Sequence, residues 1–177
     1  MSVADFFKKL LFARALVFDK GALKVLNVRS IIIPGETFVR QQYEMLKKNP
    51  KNDSILKEIG IMQGKSAVEL AKKFYQGGTK DKVDNMLQSI GFMGFGEVRL
   101  VNPDISTGNA KIQLTNSLVA TEYKRLGFKT KKPVDTFMLG VIEGGISDLI
   151  GKKVVCKETK CEALGAPYCE IESKPVK

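Results

Sequence analysis

The chain has 177 residues, 44% of them apolar and 27% charged, which suits one domain with a sizeable core and excludes disorder as the whole answer. No apolar run approaches the ~20 residues a membrane-spanning helix needs, and the opening Met1-Ser2-Val3-Ala4-Asp5 lacks the positive start of a secretory signal, so a single cytoplasmic domain over 1–177 is expected. Lysine and arginine number 29 against 19 acids, a formal charge of +10, and the chain has no histidine, which removes the commonest general base and the commonest metal ligand.

In chain order, residues 6–11 are expected to open with a short helical turn. Two β-leaning runs, 10–18 and 22–29, flank Asp19-Lys20-Gly21. A three-residue loop ending in glycine suits a bulged hairpin, so the two runs should pair. Pro34-Gly35 ends the apolar run 31–33. Phe38, Val39, Gln42, Met45 and Leu46 then recur at helical spacing until Asn49-Pro50. Asp53 or Ser54 is placed to cap a longer helix carrying Leu56, Ile59, Ala67, Leu70, Ala71 and Phe74. Gly60 and Gly64 weaken that helix by about 1 kcal/mol each relative to alanine, and point to a kink or a close packing contact. Gly77-Gly78 break it, and Thr79 is expected to cap a third helix with Val83, Met86, Leu87 and Ile90 on one face.

The period then changes to two. Val98 and Leu100 alternate with Glu97 and Arg99, and Ile112 and Leu114 with Lys111, Gln113 and Thr115, as in antiparallel neighbours with one wet face. A short helix is expected over 117–126. A helical period returns over 133–150 through Val134, Phe137, Met138, Val141, Ile142, Ile146, Leu149 and Ile150, and 153–159 with 168–172 should close the chain as a hairpin. Helices and antiparallel strands in blocks make the fold α+β, an antiparallel sheet with surrounding helices that ends in a cysteine-bearing β-hairpin.

All three cysteines, Cys156, Cys161 and Cys169, fall within 14 consecutive residues. Three cysteines in an intracellular chain argue against a disulfide framework. Two readings stand side by side. In one, the thiols are small apolar residues packed in a hairpin. In the other, Cys161 and Cys169 converge across the turn Leu164-Gly165-Ala166-Pro167, and Cys156 or Glu158, which share a strand face, adds a ligand. Thiolates and carboxylates together suit tetrahedral zinc without histidine.

Other features carry less. Residues 91–96, Gly-Phe-Met-Gly-Phe-Gly, follow a helix and precede a strand, the reverse of the order a dinucleotide loop needs. Phe92 and Phe95 among these glycines, with Phe137, Met138 and Gly140 on the last long helix, either line a cavity for a small apolar molecule or form ordinary core. Gly140 and Gly144 leave room for a ligand or for a close helix contact. The lysines are scattered and only five residues are arginine, which reads as a solubilising surface rather than a nucleic-acid face. No Ser–His–Asp or Cys–His pairing, HExxH, Walker loop or nicotinamide signature is present.

The stretch 139–145, Leu-Gly-Val-Ile-Glu-Gly-Gly, with Gly151, Glu158-Thr159-Lys160-Cys161 and Gly165-Ala166-Pro167-Tyr168-Cys169, resembles the 4-vinyl reductase domain family. The resemblance is specific over about residues 133–172. It implies a fold like that of Bet3-type trafficking subunits and haem nitric-oxide-binding domains, an antiparallel sheet with helices around an apolar ligand cavity. Relatives in phenol-sensing bacterial regulators hold zinc with Glu-x-x-Cys-x7-Cys and an upstream cysteine. Glu158, Cys161 and Cys169 match the first three. The upstream position falls near Asp135, where this sequence departs from the pattern, so Asp135 or Cys156 would complete the set. Zinc with four protein ligands would be structural. The resemblance implies a sensory or regulatory module, a homodimer, for a small hydrophobic or aromatic ligand. An enzyme or accessory factor of tetrapyrrole vinyl metabolism and a protein-interaction subunit are the alternatives.

Overall fold

The computed structural model describes residues 8, 15–25, 27–74, 77–102 and 105–176. The expected turn over 6–11, Lys8 apart, and residues 10–14 of the first β-leaning run lie outside them. In chain order the elements are β1 (Leu16–Asp19), β2 (Ala22–Val25), β3 (Val28–Ser30), α1 (Gly35–Lys48), α2 (Asn52–Phe74), α3 (Thr79–Phe92), β4 (Glu97–Asn102), β5 (Ala110–Thr115), α4 (Leu118–Arg125), α5 (Thr136–Ile150), β6 (Val154–Lys160), a 3-10 turn (Glu162–Leu164) and β7 (Cys169–Pro175). The strands form two antiparallel sheets, β1-β2-β3 and β4-β5-β7-β6. The fold is α+β, and its last strand carries Cys169 as expected.

The first hairpin pairs the expected runs with a different turn. Asp19 lies opposite Ala22, so the loop is the two residues Lys20 and Gly21, at φ 46 and 76. Two successive positive φ values match the strand twist without a bulge. The second run is also cut. Asn27 takes φ 65, and the chain reverses so that Val25 faces Val28.

In the four-stranded sheet the period-two pattern sets the layers. On β5, Ala110, Ile112 and Leu114 are buried, and the alternating Lys111, Gln113 and Thr115 are half-buried on the other face. Ile112 stands opposite Ile171 and Leu114 opposite Cys169, while Val154, Cys156 and Glu158 of β6 point to the same inner side. Helix α5 lies on that side. Every residue from Val141 to Ile146 is buried, because the sheet covers one flank and α2 the other. A helix apolar nearly all round belongs in such a middle layer. It begins at Thr136 rather than 133, with Asp135 as its N-cap. Helix α3 begins at Thr79, but the cap is Gly78, whose N–H donates to Asp81 Oδ2 at 3.1 Å.

The α2–α5 contact explains the glycines. A Cβ on Gly60 would lie 2.2 Å from the Phe137 carbonyl oxygen, and one on Gly140 would lie 2.1 Å from the Lys57 carbonyl oxygen. Gly64 meets Val141 and Gly144 meets Ile61 in the same way. Small residues four apart on both helices therefore let two backbones touch, as the close packing reading of Gly60 and Gly64 anticipates. The buried stripe of α2 runs through Leu56, Gly60, Gly64 and Val68. Ile59, expected on the inner face, is 43% exposed beside Ile55 and Met62, since the glycine stripe takes the contact.

Candidate functional site

Strand β6 ends in a bulge between Glu158 and Lys160, and the 3-10 turn then folds the chain back onto β7. Leu164 and Ala166 both donate their N–H to the Cys161 carbonyl, at 3.0 and 3.2 Å. The turn sets Cys161 beside Cys169. Ligand atoms of Glu158, Cys161 and Cys169 lie within 4.8 Å of one another, all three residues buried. These three lie close enough to hold a metal.

Asp135 joins them from the start of α5. Its N–H donates to Glu158 Oε2 at 3.0 Å, and its carboxylate is a hydrogen-bond partner of the Cys169 thiol. The Ser117 hydroxyl donates to Asp135 Oδ1 at 2.7 Å. The Glu162 N–H donates to Cys169 Sγ at 3.2 Å, while the Glu162 carboxylate accepts from the N–H groups of Asn116 and Ser117. Yet Asp135 Oδ2 and Glu158 Oε1 are buried with no hydrogen-bond partner. Two orphaned carboxylate oxygens beside two thiols form an S2O2 donor set, which fits a tetrahedral cation of borderline softness.

The electrostatics follow from burial. Desolvation pushes the Asp135 carboxyl up to about 6. Burial, and then the charges on Asp135 and Cys161, push Glu158 up to about 9. The Cys169 thiol donates to Cys161, which draws Cys161 down to about 5 against its burial and pushes Cys169 up. Four acidic groups packed out of water share protons, and a dication replaces those protons.

Cys156 stands apart from this set. Its N–H donates to Glu143 Oε2 at 2.7 Å, and the same oxygen pairs with Lys57 Nζ at 2.8 Å. Burial, with the Glu143 charge, pushes its thiol up to about 12. Of the two residues expected to complete the metal set, Asp135 is the one at the cluster. Cys156 is two residues from Glu158 along the strand, an offset of about 6.6 Å on one face.

The expected ligand residues are divided. Phe95 and Phe137 meet with ring centroids 5.7 Å apart, and Phe38 of α1 closes an aromatic trio, 5.6 Å from Phe95 and 5.4 Å from Phe137, edge to face with both. Met138 is buried in the same core, whereas Phe92 is half-buried. Gly140 faces the α2 backbone, so of its two sequence readings the structure shows the close helix contact. Two surface clefts, about 530 and 370 Å³, lie between α3 and β4 and between α2, α5 and β6, lined by none of these residues. The sequence does not single out Phe38, Ser117 or Glu162 as functional. Phe38 carries only a helical-period signal, and Ser117 only a helix-start signal.

No curated protein matches the chain by sequence. Among solved structures it is similar to the phenol-responsive sensory domain of the transcription activator PoxR with phenol, at TM-score 0.82 and 21% identity over 98% of this chain and 90% of that one. It is also similar to a vinyl-4-reductase family protein from Methanocaldococcus jannaschii, at TM-score 0.59 and 22% identity over 84% of this chain and 85% of that one. A trafficking protein particle complex subunit 3 from Naegleria fowleri, covalently bound to palmitic acid, matches at TM-score 0.53 and 15% identity over 81% and 95%. The described helices include none long and apolar enough to cross a membrane. The vinyl-4-reductase domain family matches residues 118–175, the stretch that holds Asp135, Glu158, Cys161 and Cys169, and the chain carries a domain of that family.

Proposed function

We propose that the protein is a sensory or regulatory module that binds a small aromatic molecule against the trio Phe38, Phe95 and Phe137, with a structural zinc ion held by Asp135, Glu158, Cys161 and Cys169. The observation that carries the reading is the trio itself. Three phenylalanines from α1, the loop before β4 and the first turn of α5 meet at one place, Phe38 edge to face with the other two. They do so in a fold shared along almost its whole length with a phenol-responsive sensory domain. Aromatic walls with few polar groups are what small apolar ligands select.

The zinc part of the reading is supported by the orphaned oxygens of Asp135 and Glu158 and by the S2O2 donor set. A bound zinc would supply charge to four buried acidic groups and tie the α5 N-terminus to the hairpin. All four positions come from the protein, which makes its role structural.

The test is a thermal-shift series on the full chain with phenol, toluene and palmitate. Phenol and toluene should raise the melting temperature in proportion to the logarithm of their concentration once above Kd, by mass action. A shift with palmitate alone, or with none of the three, rejects the aromatic-ligand reading.

A further inference from the structure

Among the described residues three buried side-chain polar atoms lack a hydrogen-bond partner: Asp135 Oδ2, Glu158 Oε1 and Gln42 Nε2. The first two belong to the acid–thiol cluster, where a cation or shared protons account for them. Gln42 belongs to α1 and to no such cluster. It is only 6% exposed, and a buried amide N–H without an acceptor is rare in native proteins because its hydration is lost and nothing replaces it. The position calls for an acceptor from outside the chain.

The trio indicates where that acceptor sits. Phe38 and Gln42 are four residues apart on α1, so they share one face of the helix. Helical side chains lean toward the N-terminus, which carries the Gln42 amide back over the turn that bears Phe38. Phe38 in turn meets Phe95 and Phe137. One neutral donor therefore stands a single turn from an aromatic wall. None of the four residues brings a charge, so an ionised ligand group would be buried without compensation.

We propose that Gln42 Nε2 anchors the oxygen of a neutral aromatic ligand, a phenol in its protonated form or an aryl carbonyl, seated against Phe38, Phe95 and Phe137. The inference rests on the aromatic-ligand reading above and adds the group that selects oxygen-bearing rings over plain hydrocarbons.

Titration calorimetry of the full chain at neutral pH with phenol, toluene and benzoate tests it. Phenol should bind about tenfold tighter than toluene, the worth of one neutral hydrogen bond in a buried site, and benzoate should bind more weakly than phenol. Gln42→Met keeps the length of the side chain and removes the donor. It should erase the phenol-over-toluene preference while leaving toluene affinity unchanged. A variant that keeps the preference, or that loses phenol and toluene together, overturns the anchor and leaves the aromatic-ligand reading standing. Wild-type protein that binds phenol and toluene equally does the same. Wild-type protein that binds neither rejects the underlying reading and the anchor with it. If Gln42→Met does not fold, Gln42→Asn, which withdraws the amide by one methylene, should lower the preference, and an unchanged preference there overturns the proposal.

Discussion

Ser117 Oγ stands 2.7 Å from Asp135 Oδ1, and the same hydroxyl accepts the Ala120 N–H at 3.2 Å as the N-cap of α4. One side chain thus joins the start of α4 to the residue that caps α5. Through Asp135 it also reaches Glu158 and Cys169. Leu118, the next residue, donates its N–H to the Phe95 carbonyl at 3.1 Å. The acid–thiol cluster and the aromatic trio are therefore held by adjacent bonds from one helix terminus.

Ser117→Ala removes the cap and leaves Asp135 Oδ1 without its donor. The expected loss of stability is about 1–3 kcal/mol, measured by denaturant unfolding of the zinc-free chain. Zinc affinity should also fall, by about 10- to 100-fold, the usual consequence of losing a group that orients a metal ligand. Unchanged zinc affinity would show that the hydroxyl only caps the helix.

The glycine contact between α2 and α5 makes a sharper stability prediction. Alanine raises helix propensity by about 1 kcal/mol over glycine, so at an open helical position Gly→Ala stabilises. At Gly140 the added Cβ would sit 2.1 Å from a backbone oxygen, which must move and separate the helices. Overpacking of that kind costs about 1–3 kcal/mol and outweighs the propensity gain. Gly60→Ala and Gly140→Ala should both lower the denaturant midpoint, and the double variant should lose less than the sum, because one helix separation relieves both. A stabilised Gly140→Ala would contradict the close contact.

Local periodicity makes part of this legible. The long apolar helix α5 and the β6–β7 hairpin follow from spacing and turn chemistry, which are properties of neighbouring residues. Gly60 and Gly64 signal a close contact, but nothing local says that Gly140 and Gly144 are the partners, and the same glycines fit a ligand gap equally well. Cys156 and Glu158 do share a strand face, yet the β-bulge after Glu158 and the 3-10 turn place the cluster beyond the reach of Cys156. Asp135 is reached only as an alternative, because its approach depends on where α5 starts. Gln42 and Ser117 carry no local mark of these roles, which arise from contacts between elements distant in sequence.

The cysteines separate cleanly by position. If zinc is held as proposed, Cys161→Ser and Cys169→Ser should each abolish stoichiometric zinc in elemental analysis of protein purified without chelator. Cys156→Ser should retain it, since that residue faces Glu143 and Lys57. Loss of zinc in Cys156→Ser with full zinc in Cys161→Ser would reverse the assignment.

Proton competition provides the last prediction. In the metal-free chain the Glu158 carboxyl, pushed up to about 9, holds its proton through neutral pH, as does the raised Cys169 thiol. Cys161, drawn down to about 5, and Asp135, at about 6, have largely lost theirs. Zinc must displace the protons that remain, so binding at pH 7 should release about two. Calorimetry in buffers of different ionisation enthalpy counts them. The linked stability has a definite sign for each group. A raised value contributes stability that is full below the unfolded value and lost as pH rises through the folded one, which applies to Glu158 from about 4.5 to about 9 and to Asp135 up to about 6. Cys161 is lowered, so its contribution is present above its unfolded value and lost as pH falls through about 5. Between about pH 6 and 8 the Glu158 and Cys161 contributions oppose each other, and the cluster leaves metal-free stability nearly level. Zinc affinity has no such cancellation, because a ligand that still holds a proton cannot bind. The zinc-induced rise in melting temperature should therefore grow steadily from pH 6 to pH 8, while the metal-free melting temperature changes little. A zinc shift of equal size at both ends of that range would mean that the metal binds away from Glu158 and Cys169.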